Sequence, residues 1–136
     1  MRSLALAVLM FPALCLADAT EDAAKLYDLK IDATASVTKG AAGAVTVRIE
    51  PKAGAEIHGE APIKLELSGP KNVTLAKAKC GRADLKMDGA KAGFDVAFTG
   101  ADAGKGQIDA TLSFFICTDK VCAKQERKAS LPVEVK

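Results

Sequence analysis

The sequence predicts an all-β fold, an antiparallel β-sandwich of about seven short strands, and two observations carry this prediction. Apolar residues alternate with polar ones in several stretches, which is the pattern of strands buried on one face. Glycine and proline separate these stretches at regular spacing, as turns do in sandwiches. Beyond the first residues, no stretch shows the 3.6-residue period of a helix. We therefore expect an immunoglobulin-like topology, with a jelly roll or a small barrel as the alternatives.

Each expected strand is defined by its apolar face. In chain order these faces comprise Tyr27, Leu29, Ile31 and Ala33; Val45, Val47 and Ile49; Ile63, Leu65 and Leu67; Val73 and Leu75; Phe94, Val96 and Phe98; Ile108, Ala110, Leu112, Phe114 and Ile116; and Leu131, Val133 and Val135. Residues 76–93 are the least patterned and predict a long loop or a weak hairpin. Pro132 cannot donate to a ladder, so the last strand is expected at a sheet edge or with that position unpaired.

The first residues are predicted to be an export signal rather than part of the domain. Met1-Arg2 supplies a positive charge, residues 4–16 are apolar, and Ala17-Asp18-Ala19 offers the small residues that a signal peptidase reads. The apolar run is shorter than the ~20 residues that span a bilayer, although a retained membrane anchor is the alternative. We expect a signal peptide at residues 1–19, one domain at residues 20–136, and a periplasmic or secreted protein.

The expected mature chain contains three cysteines: Cys80, Cys117 and Cys122. Export implies an oxidising compartment in which disulfides persist, and three cysteines allow one bridge and one spare thiol. The formal net charge is +2, with acidic and basic residues interspersed. This balance gives no case for a nucleic-acid partner or a membrane surface, nor for stable membrane insertion once the signal is removed.

Cys117 and Cys122 form the strongest candidate site. Cys117 ends a predicted strand, and a hairpin between that strand and the next would place the two cysteines within bridging distance. Such a short ring removes little unfolded-state entropy, which favours sulfurs placed for exchange. A plain structural clip on a hairpin is the equal alternative. Nearby cations, which favour a thiolate, are Lys120, Lys124, Arg127 and Lys128, whereas Asp119 opposes them.

The run from Phe115 to Cys122, Phe-Ile-Cys-Thr-Asp-Lys-Val-Cys, resembles a short motif of the DsbD N-terminal-domain family. These are periplasmic immunoglobulin-like domains of thiol–disulfide interchange proteins. The run from Ile57 to Leu65, a histidine followed by a proline and an amphipathic strand, is similar to another segment of that family. The resemblance covers most of the mature chain, from about Leu26 to Val135. Family members usually carry a proline soon after the second cysteine, where this chain has Ala123.

The resemblance implies that Cys117 and Cys122 are a redox pair that passes electrons between periplasmic partners. A donor thiolate would attack the bridge, and the resulting dithiol would reduce a second protein through a mixed disulfide. The resemblance makes Cys122 the exchanging sulfur and Cys117 the resolving one. The partners would be thioredoxin-like or membrane-embedded thiol–disulfide proteins. The family's shielding loop would fall within residues 76–93, which here lack an aromatic residue.

Other functions stay open at this point. The main alternative is a non-catalytic periplasmic binding or interaction module with a structural disulfide. A third is a metal-binding module, since His58 and the cysteines are metal-ligand types, but their spacing matches no standard zinc pattern and we expect no metal or cofactor. His58 is expected to be a hydrogen-bonded loop residue. Cys80 is interpreted as a buried small hydrophobe, an exposed thiol near the pair, or a dimerising cysteine.

Overall fold

The computed structural model describes residues 22–136, so the expected signal peptide lies outside the described residues. The described part is built from strands and contains two three-residue 3-10 helices, Ala24–Leu26 and Arg82–Asp84. The strands are β1 (Tyr27–Ala33), β2 (Ser36–Val37), β3 (Ala42–Pro51), β4 (Glu56–Ile57), β5 (Lys64–Ser68), β6 (Val73–Leu75), β7 (Lys79–Cys80), β8 (Lys86–Asp88), β9 (Lys91–Gly100), β10 (Gly104–Cys117) and β11 (Cys122–Val135).

The strands form two sheets whose order is that of an immunoglobulin-like sandwich. One sheet has the order β1-β3-β9-β6, with β8 paired to β9. The other has the order β2-β11-β10-β5-β7, with β4 paired to β10. If β1, β3, β5, β6, β9, β10 and β11 are named A to G, the sheets read ABED and GFC, which is the constant-type arrangement. The predicted fold class of about seven main strands is confirmed.

The core lies between the sheets and consists mainly of aliphatic side chains with a few phenylalanines. The predicted faces of the main strands supply it, because alternate residues of a strand point to the same side. Fully buried members from both sheets include Val47, Ile49, Phe94, Leu112 and Phe114. The alternation that predicted the strands is therefore the pattern of burial in the folded chain.

One part of the fold differs from the sequence prediction, and a second decides between two alternatives. The last strand was expected around residues 131–135, but β11 begins at Cys122 and pairs with β10 along its whole length. The weakly patterned residues 76–93 contain β7, a 3-10 helix and β8, and β8 forms a tight hairpin with β9. Gly89 adopts a φ of 61° in that hairpin turn, a conformation that glycine accepts without steric cost. The weak-hairpin alternative for this segment is thus confirmed.

Pro132 lies where the missing N–H does no harm. Beyond β10, the other side of β11 is paired only with β2, at Glu134 and Val135, among the described residues. The backbone N–H of Glu134 donates to the Ala35 carbonyl oxygen on that side. Because backbone N–H groups two residues apart in a strand point the same way, the nitrogen of Pro132 faces the same open side. The prediction of an unpaired position in an edge strand is confirmed.

Within residues 22–136, no helix is long and apolar enough to cross a membrane.

Candidate functional site

Cys117 and Cys122 form a disulfide at the tip of the β10–β11 hairpin. The two residues face each other directly as the last pair of the ladder, and their Cα atoms are 4.0 Å apart. The next residues outward, Thr118 and Val121, share a backbone hydrogen bond of 2.8 Å from the Thr118 N–H to the Val121 carbonyl. The cysteines therefore occupy a non-hydrogen-bonded pair, the close-approach position of an antiparallel ladder, where Cα atoms lie ~4.5 Å apart.

The turn that closes the hairpin is organised by Thr118. Its hydroxyl oxygen accepts hydrogen bonds of 3.3 Å from the backbone N–H groups of Lys120 and Val121. A threonine hydroxyl that satisfies two backbone donors is a local turn device that needs no contact with the core. Asp119, Lys120 and Val121 are consequently left exposed at the tip. The bridge is thus presented at the end of the molecule beside a short, solvent-facing turn.

The two sulfur-bearing residues differ in their access to solvent. Cys117 is only 1% exposed, whereas Cys122 is exposed. Both side chains lie on the outer face of their sheet, because the inward positions of the hairpin are Ile116, Phe114 and Gln125. An incoming thiol can therefore approach the bridge from solvent at Cys122, while Cys117 is covered.

The cations expected near the bridge separate into two groups. Lys120 at the tip and Lys124 on the outer face are both exposed. Arg127 lies on the inward face instead, where its guanidinium stands 5.9 Å from the Tyr27 ring centre. Lys128 is exposed farther along β11 and approaches the Glu126 carboxylate at 3.8 Å. Lys120 and Lys124 are therefore the cations that can favour a thiolate at Cys122.

A buried polar cluster fixes the hairpin to the opposite sheet. Gln125 is fully buried, and its side-chain oxygen accepts hydrogen bonds of 2.9 Å from the Tyr27 hydroxyl and from Arg127. Tyr27 also packs edge-to-face on Phe114, with ring centres 5.0 Å apart. Burial raises the pKa of the Tyr27 hydroxyl, and the charge of Arg127 opposes this effect. The sequence did not reveal this cluster, because a glutamine and an arginine on an apolar face break the expected alternation.

Two surface depressions of opposite charge lie near the bridge. A cleft beside Cys117 is lined by Gly54, Ala55, Glu56 and Asp119, and includes two carboxylates and no cation. Two residues along the hairpin from the bridge, at Phe115 and Lys124, a groove of about 420 Å³ is lined by three cations and no carboxylate. The residues that define this basic groove are Pro62, Ile63, Lys64, Arg82, Phe115 and Lys124.

One wall of the basic groove is the loop between β4 and β5. Arg82 donates hydrogen bonds to the backbone carbonyl oxygens of His58 and Ala61 in that loop. His58 is exposed, and its Nδ1 accepts a hydrogen bond of 3.2 Å from the Glu60 N–H. The prediction that His58 is a hydrogen-bonded loop residue is confirmed. Sequence reasoning missed the role of Arg82, because its partners are more than twenty positions away.

The expected shielding loop is not where the resemblance placed it. Residues 54–56, which precede and begin β4, line the cleft at Cys117, and Glu56 is paired with Cys117. From residues 76–93, only Arg82 is among the side chains that line either depression. The placement of a shielding loop in residues 76–93 was therefore wrong, because β7 pairs with β5 and β8 pairs with β9, and neither pairs with the β10–β11 hairpin.

Cys80 is a buried thiol remote from the bridge. It is 4% exposed and is paired with Leu65 in β5, which in turn faces Leu112 in β10. Leu112 lies five residues before Cys117, so Cys80 is about 17 Å along the strands and about 10 Å across them from the bridge. Burial raises the pKa of its thiol, and the Asp84 carboxylate adds to the effect. Cys80 is thus the buried small hydrophobe of the three interpretations.

Comparison with known proteins found similar solved structures but no similar family or curated protein. No protein-family model and no curated protein matches the chain. Similar solved structures include AggA, the major subunit of aggregative adherence fimbriae type I from Escherichia coli (14% identity, TM-score 0.42, 81% of this chain and 95% of that chain). Others are a cohesin module from a Clostridium perfringens glycoside hydrolase (11%, 0.46, 82% and 97%) and murine CRIg (8%, 0.44, 80% and 98%). What identifies the fold is the strand order described above.

Proposed function

We propose that this chain is an exported thiol–disulfide interchange domain of the DsbD N-terminal type, with Cys117 and Cys122 as its redox pair. It would act in the periplasm or outside the cell and exchange electrons with thioredoxin-like or membrane-embedded thiol–disulfide proteins. The observation that carries the proposal is the unequal exposure of the bridge: Cys122 faces solvent at a hairpin tip, and Cys117 is buried beside it.

The unequal exposure supports different roles for the two sulfurs. A donor thiolate attacks the Cys122 sulfur, the Cys117–Cys122 bond breaks, and the electron pair leaves on Cys117, which takes up a proton. The second thiol of the donor then attacks the mixed disulfide, so that the donor becomes a disulfide and the domain a dithiol. In the second half, the Cys122 thiolate attacks the disulfide of an acceptor, and Cys117 resolves the mixed disulfide.

The position of the bridge also favours exchange over stabilisation. It joins two residues that already face each other at the end of a ladder formed by two 14-residue strands. It does not connect the two sheets, as the B–F disulfide of antibody domains does. A bridge that adds so little constraint can open and close while the sandwich keeps its shape.

A mixed-disulfide trap tests this proposal. All variants carry Cys80→Ala, which leaves the hairpin cysteines as the only cysteines of residues 20–136, the expected mature chain. We expect Cys117→Ala to accumulate a covalent complex with a thioredoxin-like protein through Cys122, and Cys122→Ala to accumulate none. The Cys80→Ala protein alone, with both hairpin cysteines, is the matched control. The opposite trapping pattern would reverse the assigned roles, and no complex with either variant would overturn the proposal.

The second candidate is a non-catalytic interaction module with a structural disulfide. The basic groove favours it, since a groove with an apolar floor can bind a partner without any redox step. The reduction potential separates the two candidates. Structural disulfides typically lie below about −300 mV, whereas exchangeable ones are more oxidising. A glutathione and dithiothreitol titration that places the bridge well below this value would favour the interaction module.

A further inference from the structure

We propose that the basic groove beside the bridge receives an extended segment of the redox partner that carries carboxylates next to an apolar side chain. This inference rests on the proposed function, because it concerns how a partner is recognised at the same site. It commits to one occupant, an acidic stretch of a partner protein, and the charges and register of the groove argue for that occupant.

The first argument is position along the sheet. Phe115 and Lys124 face each other in the β10–β11 ladder. On each strand they lie two residues farther from the hairpin tip than the cysteine does. Residues two apart point to the same face, so this pair lies on the same outer surface as the bridge, about 7 Å along the strands. A chain that brings its cysteine to Cys122 therefore places its neighbouring residues over Phe115 and Lys124.

The second argument is the composition of the groove. Phe115, Pro62 and Ile63 give it an apolar floor, and three cations surround them. Arg82 donates to two neutral carbonyl oxygens, so its positive charge is not neutralised by that contact. Lys124 makes no ion pair with any described residue. Lys64 approaches Glu66 at 3.5 Å, with both side chains largely exposed. Arg82 and Lys124 therefore give the groove positive charge that no described ion pair compensates, around an apolar surface.

The third argument is the contrast between the groove and the cleft at the bridge. The cleft at Cys117 is lined by the carboxylates of Glu56 and Asp119, whereas the groove that begins two residues farther along the hairpin is lined by three cations. A segment with acids on one side of its cysteine is attracted in one direction and repelled in the opposite one. Such a field orients an approaching partner and raises its association rate, and added salt reduces the effect.

The test uses two synthetic peptides of the same length, each with one cysteine in a mixed disulfide and one adjacent phenylalanine. One peptide has Asp and Glu around these residues, and the other has Lys in their place. We expect the folded protein, in its reduced form and with Cys80→Ala, to exchange with the acidic peptide about 10-fold faster at low salt. The difference is expected to shrink in 0.5 M salt. A dithiothreitol exchange rate serves as the measure of intrinsic bridge reactivity.

Variants locate the preference in the groove. Lys124→Glu is expected to abolish or invert the peptide preference. Because the preference is the ratio of two exchange rates on the same protein, any effect of Lys124 on the intrinsic reactivity of Cys122 cancels in that ratio. Lys128→Glu makes the same charge change on the same face of β11, outside the groove, and is expected to keep the preference. Equal rates for the two peptides, or equal losses in the groove and Lys128 variants, would overturn the inference and leave the proposed function standing.

A binding measurement keeps the inference testable if the bridge does not exchange. The acidic peptide with serine in place of cysteine should bind the oxidised protein more tightly than its lysine counterpart, and Phe115→Ala should weaken that binding. If dithiothreitol and both peptides fail to exchange, the proposed function fails, and the binding result alone decides on the groove. If phenylacetate competes as well as the serine peptide does, the groove takes a small organic anion, and the proposed occupant is wrong.

Discussion

Tyr27 donates a 2.9 Å hydrogen bond from its hydroxyl to the side-chain oxygen of Gln125, a residue 98 positions away. The bond connects β1 of one sheet with β11 of the other, and both side chains are buried. Gln125 lies three residues after Cys122. The contact therefore holds β11, the strand that begins at the exposed Cys122, against the opposite sheet close to the hairpin tip.

Removal of the Tyr27 hydroxyl should destabilise the fold modestly. Tyr27→Phe keeps the ring contact with Phe114, and the Gln125 oxygen keeps its bond from Arg127. We expect a loss of about 1 kcal/mol in the free energy of unfolding, measured in urea. Gln125→Ala leaves the Tyr27 hydroxyl without this acceptor and opens a void, so it should cost at least about 2 kcal/mol. Equal stabilities for the three proteins would contradict this role of the cluster.

Reduction of the bridge should leave the protein folded. The loop-entropy relation gives only about 2 kcal/mol for a ring as small as Cys117–Cys122. We expect the reduced Cys80→Ala protein to unfold cooperatively in urea, with a free energy of unfolding lower by about this amount. Cys117→Ser with Cys122→Ser should match the reduced protein. Loss of cooperative unfolding on reduction would show that the bridge holds the fold together.

The thiols of Cys122 and Cys80 should differ in reactivity in the reduced protein. Cys122 is exposed beside Lys120 and Lys124, whereas Cys80 is buried with a raised pKa. We expect a disulfide reagent such as dithionitrobenzoate to modify Cys122 at least 100-fold faster than Cys80 in the folded protein, because the thiolate is the reactive form. In 6 M guanidinium the two rates should converge. A fast reaction at Cys80 in the folded state would contradict its burial.

Gly93 should not tolerate a side chain. A methyl group added there would lie 2.5 Å from the backbone carbonyl oxygen of Val47 in the neighbouring strand. Because backbone atoms cannot move aside cheaply, Gly93→Ala should lower the free energy of unfolding by about 1–3 kcal/mol. Gly59→Ala is the matched control, since a methyl group there meets nothing within 4 Å. Similar losses for both variants would contradict the explanation by close strand contact.

Part of the stability should depend on acid pH through Asp95. A hydrogen bond from Lys86, with a second from Arg48, holds the pKa of the Asp95 carboxyl below its usual value. A lowered folded-state pKa contributes stability that is complete above the unfolded pKa of about 3.9 and is lost as the pH falls through the folded value. Asp95→Asn should therefore be less stable than the native protein at pH 6, and the difference should disappear near pH 2.

The matching control for Asp95 is ionic strength. Asp95, Arg48 and Lys86 are all partly exposed, so 1 M salt should reduce the difference at pH 6 by screening. A difference between the native protein and Asp95→Asn that persisted unchanged at pH 2 would contradict the linkage and assign the effect to packing.

The sequence predicted the parts of this fold that repeat with a short period. Strands such as β9 and β10 alternate apolar and polar residues, and the folded chain buries the residues that the alternation selects. The hairpin that joins Cys117 and Cys122 could also be expected, because it depends on residues close in sequence. The two-residue strands β2, β4 and β7 could not, since two residues establish no period.

The longest segment that the sequence prediction missed is the first half of β11. Its inward positions include Gln125 and Arg127, two polar residues that contact Tyr27 of β1, so no local pattern marks that strand. The basic groove was invisible for a similar reason. Arg82, Lys64 and Lys124 come from three separate segments and meet only after the sheet has formed. Contacts of this kind are set by topology, which a local reading of the chain does not contain.

The open margin of β11 has a consequence for behaviour at high concentration. A second molecule that tried to continue the sheet there would meet no amide hydrogen at Pro132. In antiparallel self-association it would also bring Lys124 and Lys128 of each copy toward those of the other. An imino acid and repelling ammonium groups are known defences against fibril growth from an unprotected rim. The solvent-facing border of the domain is therefore disfavoured as a seed for aggregation.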